Sequence, residues 1–243
     1  MERLLGALPK ISVVVFVIVI FFNEIRKGYF DNMKTFSQTF KPKIHVITLI
    51  CVVVAIAGVF LFDPYLLKTL QGLPGSFPQK IADFGGMIGR NVNPWFFLGT
   101  VYLAAVVIRQ RKWQQVVFGS LFSCVCASAI SSILKFLFLR ARPIAELGHL
   151  SFFNLSGLAK DARAFQSFTS GDVAVVAGIA GYLFFGMKNQ YLRWIVLLFP
   201  IATSFARING NKHWPSDTVM AMILGICMGY IVTNYETMNQ KRA

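Results

Sequence analysis

The stretch VVFGSLFSCVCASAISSILKFLFLRARP, Val116–Pro143, decides the fold. From Val116 to Leu134 it carries no charged side chain, and it then collects Lys135, Arg140 and Arg142 just before Pro143. An uncharged apolar run close to the ~20 residues that cross a bilayer as a helix belongs in hydrocarbon. Bases at one end belong at the interface, and a proline there cannot continue the helix.

The same pattern recurs along the chain. Apolar windows stand at Ile44–Phe62, Pro94–Ile108, Val173–Gly186, Trp194–Ala206 and Thr218–Tyr235, in a chain that is 56% hydrophobic with 24 Phe and mean hydropathy +0.60. That composition is too apolar for a soluble domain of 243 residues. The reading is all-α: a polytopic membrane helix bundle with six core transmembrane helices plus an N-terminal hydrophobic segment. The segment, Ile11–Phe22, is short enough to be a seventh span, an interfacial helix or a retained signal-like stretch. Three regions follow: 1–43, hydrophobic segment and basic linker; 44–235, the six-helix unit; 236–243, a cytoplasmic tail.

The linker bases Arg26, Lys27, Lys34, Lys41 and Lys43 favour the cytoplasmic side. Threading six helices from there puts Arg109, Arg111, Lys112, Lys188, Arg193, Lys241 and Arg242 inside and residues 63–93, 135–168 and 207–215 outside. The outside segments still hold Lys135, Arg140, Arg142, Lys160, Arg163, Arg207 and Lys212, so those bases need a second reason to be there. A net charge of +14 is spread over short interhelical loops, which argues against nucleic acid and for the anionic headgroups of a lipid bilayer. Cys51, Cys124, Cys126 and Cys227 lie inside apolar windows and read as small buried hydrophobes. In "IADFGG", Asp83 and the glycines after it read as a structural turn before the next span.

Three polar clusters fall at predicted helix ends on one face: KFLFLRARP (Lys135–Pro143), TSGD (Thr169–Asp172) and RINGNKHWPSD (Arg207–Asp217). Lys135, Arg142 and Arg207 offer three cations, and an arginine fork matches phosphate oxygens in pairs. Ser170 and Gly171 open a helix, where free backbone N–H groups and the positive dipole end favour the same anion. With Trp214 entering a helix, Asp217 shares a face with His213, reaches one ring nitrogen and leaves the other free as nucleophile or base. Each cluster has an ordinary explanation by itself: Lys135, Arg140 and Arg142 as snorkelling anchors, Ser170 and Asp172 as helix capping, His213 as an interfacial residue. Their order and shared face favour the joint reading.

The clusters resemble the signature of the type 2 phosphatidic acid phosphatase family, K-x6-R-P, P-S-G-H and S-R-x5-H-x3-D. The first is complete at Lys135, Arg142 and Pro143; the third is complete from Arg207 through His213 to Asp217, with Ala206 for the serine. The second departs twice, with Thr169 for proline and Asp172 for histidine, and an Asp in the second motif is similar to what lipid A 4′-phosphatases of the family show, in which S-x-x-G-D replaces the usual triplet. The resemblance runs from Ile44 to about Tyr235. It implies an integral-membrane phosphatase in which His213 is phosphorylated, Asp217 orients it, and Lys135, Arg142, Ser170, Gly171 and Arg207 bind the phosphoryl oxygens. No metal and no cofactor is implied. The leaving-group acid falls to Asp172, while Arg140 and His149 are candidate substrate contacts, His149 otherwise a solvated loop residue.

The expected substrate is a phosphate monoester or pyrophosphate of a membrane lipid, lipid A favoured, at the periplasmic face of a bacterial inner membrane. Undecaprenyl pyrophosphate, phosphatidylglycerol phosphate and phosphotransfer to another lipid stay open. From other classes, an anion transporter would carry its bases at mid-span rather than at helix ends, and a lipid-binding pseudoenzyme is suggested by the altered second motif.

Overall fold

The computed structural model describes residues 15–30, 57, 59–73, 75–90, 93–161 and 163–240, with backbone alone at 158–160 and 239–240, and the regular elements among them are helical. Residues 15–26 form α1. After a helical turn at 59–61 come α2 (Asp63–Gln71), α3 (Ser76–Gly89), α4 (Asn93–Val107), α5 (Arg111–Phe138), a 3-10 turn (Pro143–Ala145), α6 (Leu155–Lys160), α7 (Gly171–Gly186), α8 (Gln190–Asn209) and α9 (Pro215–Gln240).

Five of the six expected windows coincide with α4, α5, α7, α8 and α9. The stretches Arg111–Ala145, Gln190–Asn209 and Pro215–Met238 are long and apolar enough to cross a membrane, and α4 and α7 are shorter apolar helices. The first window, Ile44–Phe62, falls outside the described residues apart from 57 and 59–62. The turn expected at "IADFGG" is instead the middle of α3. Its glycines serve helix packing: a Cβ on Gly85 would stand 2.0 Å from the Ala202 carbonyl oxygen of α8.

Helix α7 is the axis of the bundle, because it is apolar on every side and small enough to be surrounded. Val173, Ala174, Ala177 and Ala180 are buried. Opposite them α9 presents GICMG, and a Cβ on Gly229 would lie 2.2 Å from the Tyr182 amide nitrogen, so the small-xxx-small spacing lets the two backbones approach. Outward faces stay apolar, with Phe97, Trp194 and Leu198 exposed as lipid-facing side chains must be. Cys124 is buried as expected, whereas Cys126 is half-buried and Cys227 is exposed; Cys51 lies outside the described residues.

The described part of the N-terminal segment, residues 15–26, is a docked helix. Ile20 is buried beside Tyr102 and Phe118, and the Phe21 ring meets Phe118 edge-on at 5.0 Å. Glu24, fully buried, accepts from Lys27 Nζ, Tyr102 OH and Arg111 Nη1 at 2.9, 2.6 and 2.8 Å. These contacts gather at the Arg111 end of α5. Lys135 lies 24 residues further along that helix, about 36 Å at 1.5 Å per residue, which separates the two faces by roughly a bilayer's hydrocarbon.

Candidate active site

Three chain reversals meet at the Lys135 end. Helix α5 stops at Leu139, whose backbone is left-handed (φ 40°), and the chain runs extended into Arg142 ahead of Pro143. The loop that follows folds back over this strand-like piece: the amides of Ala141, Arg142 and Ser167 donate to the carbonyls of Ser151, Ala164 and Arg140 at 2.9, 2.8 and 3.1 Å. Trp214, buried at the entry to α9, donates its indole N–H to the Ala141 carbonyl at 2.8 Å. The first and third clusters are thereby fixed to one another.

Between them lies a cavity of about 580 Å³ lined by Arg90, Lys135, Arg142, Arg163, Gly171, Asp172, Arg207, Lys212 and His213. Among the described residues six bases face one carboxylate, five positive charges in excess while His213 is neutral. Two of their donors are idle, since Arg142 Nε and Arg207 Nε are buried without a hydrogen-bond partner. Arg207 Nε is 3.0 Å from Asp172 Oδ2, so the charges pair, but its N–H is not aimed at the carboxylate. Buried donors left unfilled in a basic cavity are what an oxyanion would complete. At the opening of α7 a Cβ on Gly171 would approach the Lys135 ammonium to 3.1 Å, so glycine gives that cation its place.

His213 Nδ1 lies 2.8 Å from the Ser167 carbonyl oxygen. A carbonyl only accepts, so Nδ1 carries the proton and Nε2 is the nitrogen with a free lone pair. Asp217 acts less directly than its spacing suggests, because its Oδ2 is 3.8 Å from Nδ1. Its oxygens are taken by Arg140 Nη1 at 2.6 Å, Ser167 Oγ at 2.5 Å and the Trp214 amide at 2.9 Å. The carboxylate thus holds the residue that holds the imidazole. Burial pushes the His213 ring below the ordinary imidazole value, Asp217 opposes this, and the charges of Arg142 and Lys135 add to the lowering.

Lys135, Arg142, Gly171, Asp172, Arg207 and His213 share the cavity; the remaining candidates do not. The Ser170 amide is spent on the Asp217 carbonyl at 3.2 Å rather than free for an anion, and its hydroxyl is buried without a partner. Arg140 is not a substrate contact: it is fully buried, with its guanidinium on Asp63, Asp217, Ser216 and the His149 carbonyl. His149 supplies that carbonyl and packs edge-on to Trp214, away from the cavity. Arg90, Arg163, Lys212, Ser167 and Asp63 were not singled out as site residues by spacing, since each lies outside the three clusters or at an unmarked position within them.

The family model of the PAP2 superfamily matches residues 116–241, slightly more than half of the chain and all three clusters. The chain belongs to the PAP2 superfamily. The match begins within α5, well after Ile44, so α1 to α4 lie outside it. Among solved structures the chain resembles the crystal structure of Aquifex aeolicus LpxE, with a TM-score of 0.54 at 20% identity, covering 72% of this chain and 96% of that one. That likeness is one of fold. No curated protein matches.

Proposed function

We propose that this PAP2 protein is an integral-membrane lipid phosphatase that works through a phosphohistidine at His213. The observation that carries the reading is a histidine with Nδ1 committed to a backbone carbonyl, lining a cavity with five excess positive charges and idle arginine donors. In the first step the Nε2 lone pair forms the N–P bond, the bond to the ester oxygen breaks, and the proton that the substrate brings as a phosphate monoanion passes through Asp172 to the departing alkoxide. In the second, water attacks phosphorus, its proton passes to Asp172, and the N–P bond breaks to release phosphate. Lys135, Arg142 and Arg207 neutralise the charge on the non-bridging oxygens throughout.

Lipid A is the favoured substrate, met at the periplasmic face of a bacterial inner membrane; the Asp172 variant of the second motif supports this choice. The fold of the LpxE structure is consistent with it. A second reading, a lipid diphosphate, is favoured by Arg90, Arg163 and Lys212, which put more positive charge in the cavity than one phosphate monoester needs. Phosphate release from lipid A, undecaprenyl pyrophosphate, phosphatidylglycerol phosphate and phosphatidic acid in mixed micelles tests the proposal. Wild type should release phosphate from one of them with EDTA present, and His213→Ala should not. Full activity in His213→Ala, or loss in EDTA restored by zinc, would contradict it.

A further inference from the structure

Behind the cavity wall lies a charged chain whose members do not themselves line the cavity. Arg140 Nη2 donates to Asp63 Oδ2 at 2.6 Å and Nη1 to Asp217 Oδ1 at 2.6 Å, and all three side chains are fully buried. Ser216 ties the ends together. Its amide donates to Asp63 Oδ1 at 2.8 Å, its hydroxyl to Asp63 Oδ2 at 2.5 Å, and it accepts from Arg140 Nη1 at 2.7 Å. The guanidinium is boxed by Phe60, Phe152 and Trp214, with its carbon 4.8, 5.0 and 5.6 Å from their ring centroids. With all three charges buried, losing one partner leaves another uncompensated.

We propose that Asp63 and Arg140 are positioning residues for the reaction at His213, acting through Asp217 and Ser167. Every contact to the Asp63 oxygens comes from a donor, which suits an ionised carboxylate. Two carboxylates on one guanidinium leave a single net negative charge behind His213. Without Asp63, Arg140 cancels Asp217 and the imidazole loses that support, just when attack through Nε2 makes the ring more positive. The same guanidinium fixes Asp217, Asp217 fixes Ser167 Oγ, and the Ser167 carbonyl selects the Nδ1–H tautomer. The inference rests on the reading that His213 is the nucleophile, but the positioning is measurable without turnover.

The other charges facing His213 are Lys135 from α5, Arg142 from the loop after it, Asp172 from α7, and Arg207 and Lys212 from the end of α8 and beyond. Arg90 after α3 and Arg163 in the long loop complete the cavity. None of them changes when Asp63 does.

The test is titration of the His213 ring by NMR in histidine-labelled full-length protein in detergent, where three histidines make assignment by His213→Gln direct. Asp63→Asn should move the His213 titration to lower pH, because a negative charge is gone. Simple loosening of the site would hydrate the ring and move it up instead. The double variant Asp63→Asn, Arg140→Gln removes one charge of each sign and should restore the wild-type titration. With p-nitrophenyl phosphate, Asp63→Asn should lower kcat about tenfold or more with KM within about twofold. A titration that is unchanged or moves upward in Asp63→Asn overturns the proposal. If that variant does not fold, a double variant titrating away from wild type overturns it. Failure of turnover in wild type would instead indict the phosphatase reading and leave the titration to judge the positioning.

Discussion

Asp172→Asn separates two roles that the structure gives to one carboxylate. Among the described residues Asp172 is the sole acid lining the cavity, 28% exposed, with Oδ2 3.0 Å from Arg207 Nε. At that separation the gross attraction is about 5 kcal/mol at an effective dielectric of 20, and partial exposure and desolvation reduce the net coupling to about 1 kcal/mol. Removing the charge frees Arg207 for phosphate, so KM should fall by about fivefold. The same substitution removes the proton donor. A lipid alkoxide is a poor leaving group, and loss of a positioned acid costs roughly 10²–10⁴ in kcat. An aryl phosphate leaves without much help, so its kcat should change far less. The assay is steady-state kinetics of wild type and Asp172→Asn on a lipid phosphate and on p-nitrophenyl phosphate in the same micelles. Equal slowing of both substrates, or of neither, would show Asp172 to be a helix-end or binding residue and refute its assignment as the acid.

Because burial lowers His213 below 6.5 and the nucleophile must be neutral, the acidic limb of kcat/KM should lie below 6.5, activity falling as pH drops through the lowered value. The same shift makes stability fall between 6.5 and that value, where the unfolded chain takes up the proton first; a limb above 6.5 would contradict the buried ring. Gly229→Ala places a methyl where the Tyr182 amide stands and should cost about 1–3 kcal/mol, read as a lower melting temperature in detergent with α7 and α9 pushed apart. For orientation, a cysteine at exposed Leu147 in a cysteine-free background should label from outside the cell and one at Gln110 should not; the reverse pattern would invert the bundle.

The described helices, and which polar residues would gather at one end of the bundle, were legible in the sequence because both depend on short-range spacing. A charge-free run fixes α5, and Arg207, His213 and Asp217 sit within one helix end and the next, so their order in the chain is their order in space. What depended on distant partners was not legible. Arg140 looks like Arg142 in sequence, and Asp63 and Asp217, each 77 residues away, make it a buried strut. The glycines of α3 suggested a turn because the reason for them, the backbone of α8, is equally remote. Asp217 was expected on the imidazole, but a carboxylate with donors on every side settles where its strongest bonds are, and Ser167 takes the imidazole instead.

The atom that carries the phosphoryl group between the two steps decides whether His213 is the nucleophile. Protein mixed with a ³²P-labelled lipid phosphate and quenched within milliseconds should hold label that is stable in alkali and lost in acid, as an N–P bond is. Digestion should place it on the peptide containing His213, and His213→Gln should hold none while still binding substrate. Label on any other residue, or turnover by His213→Gln, would contradict the account.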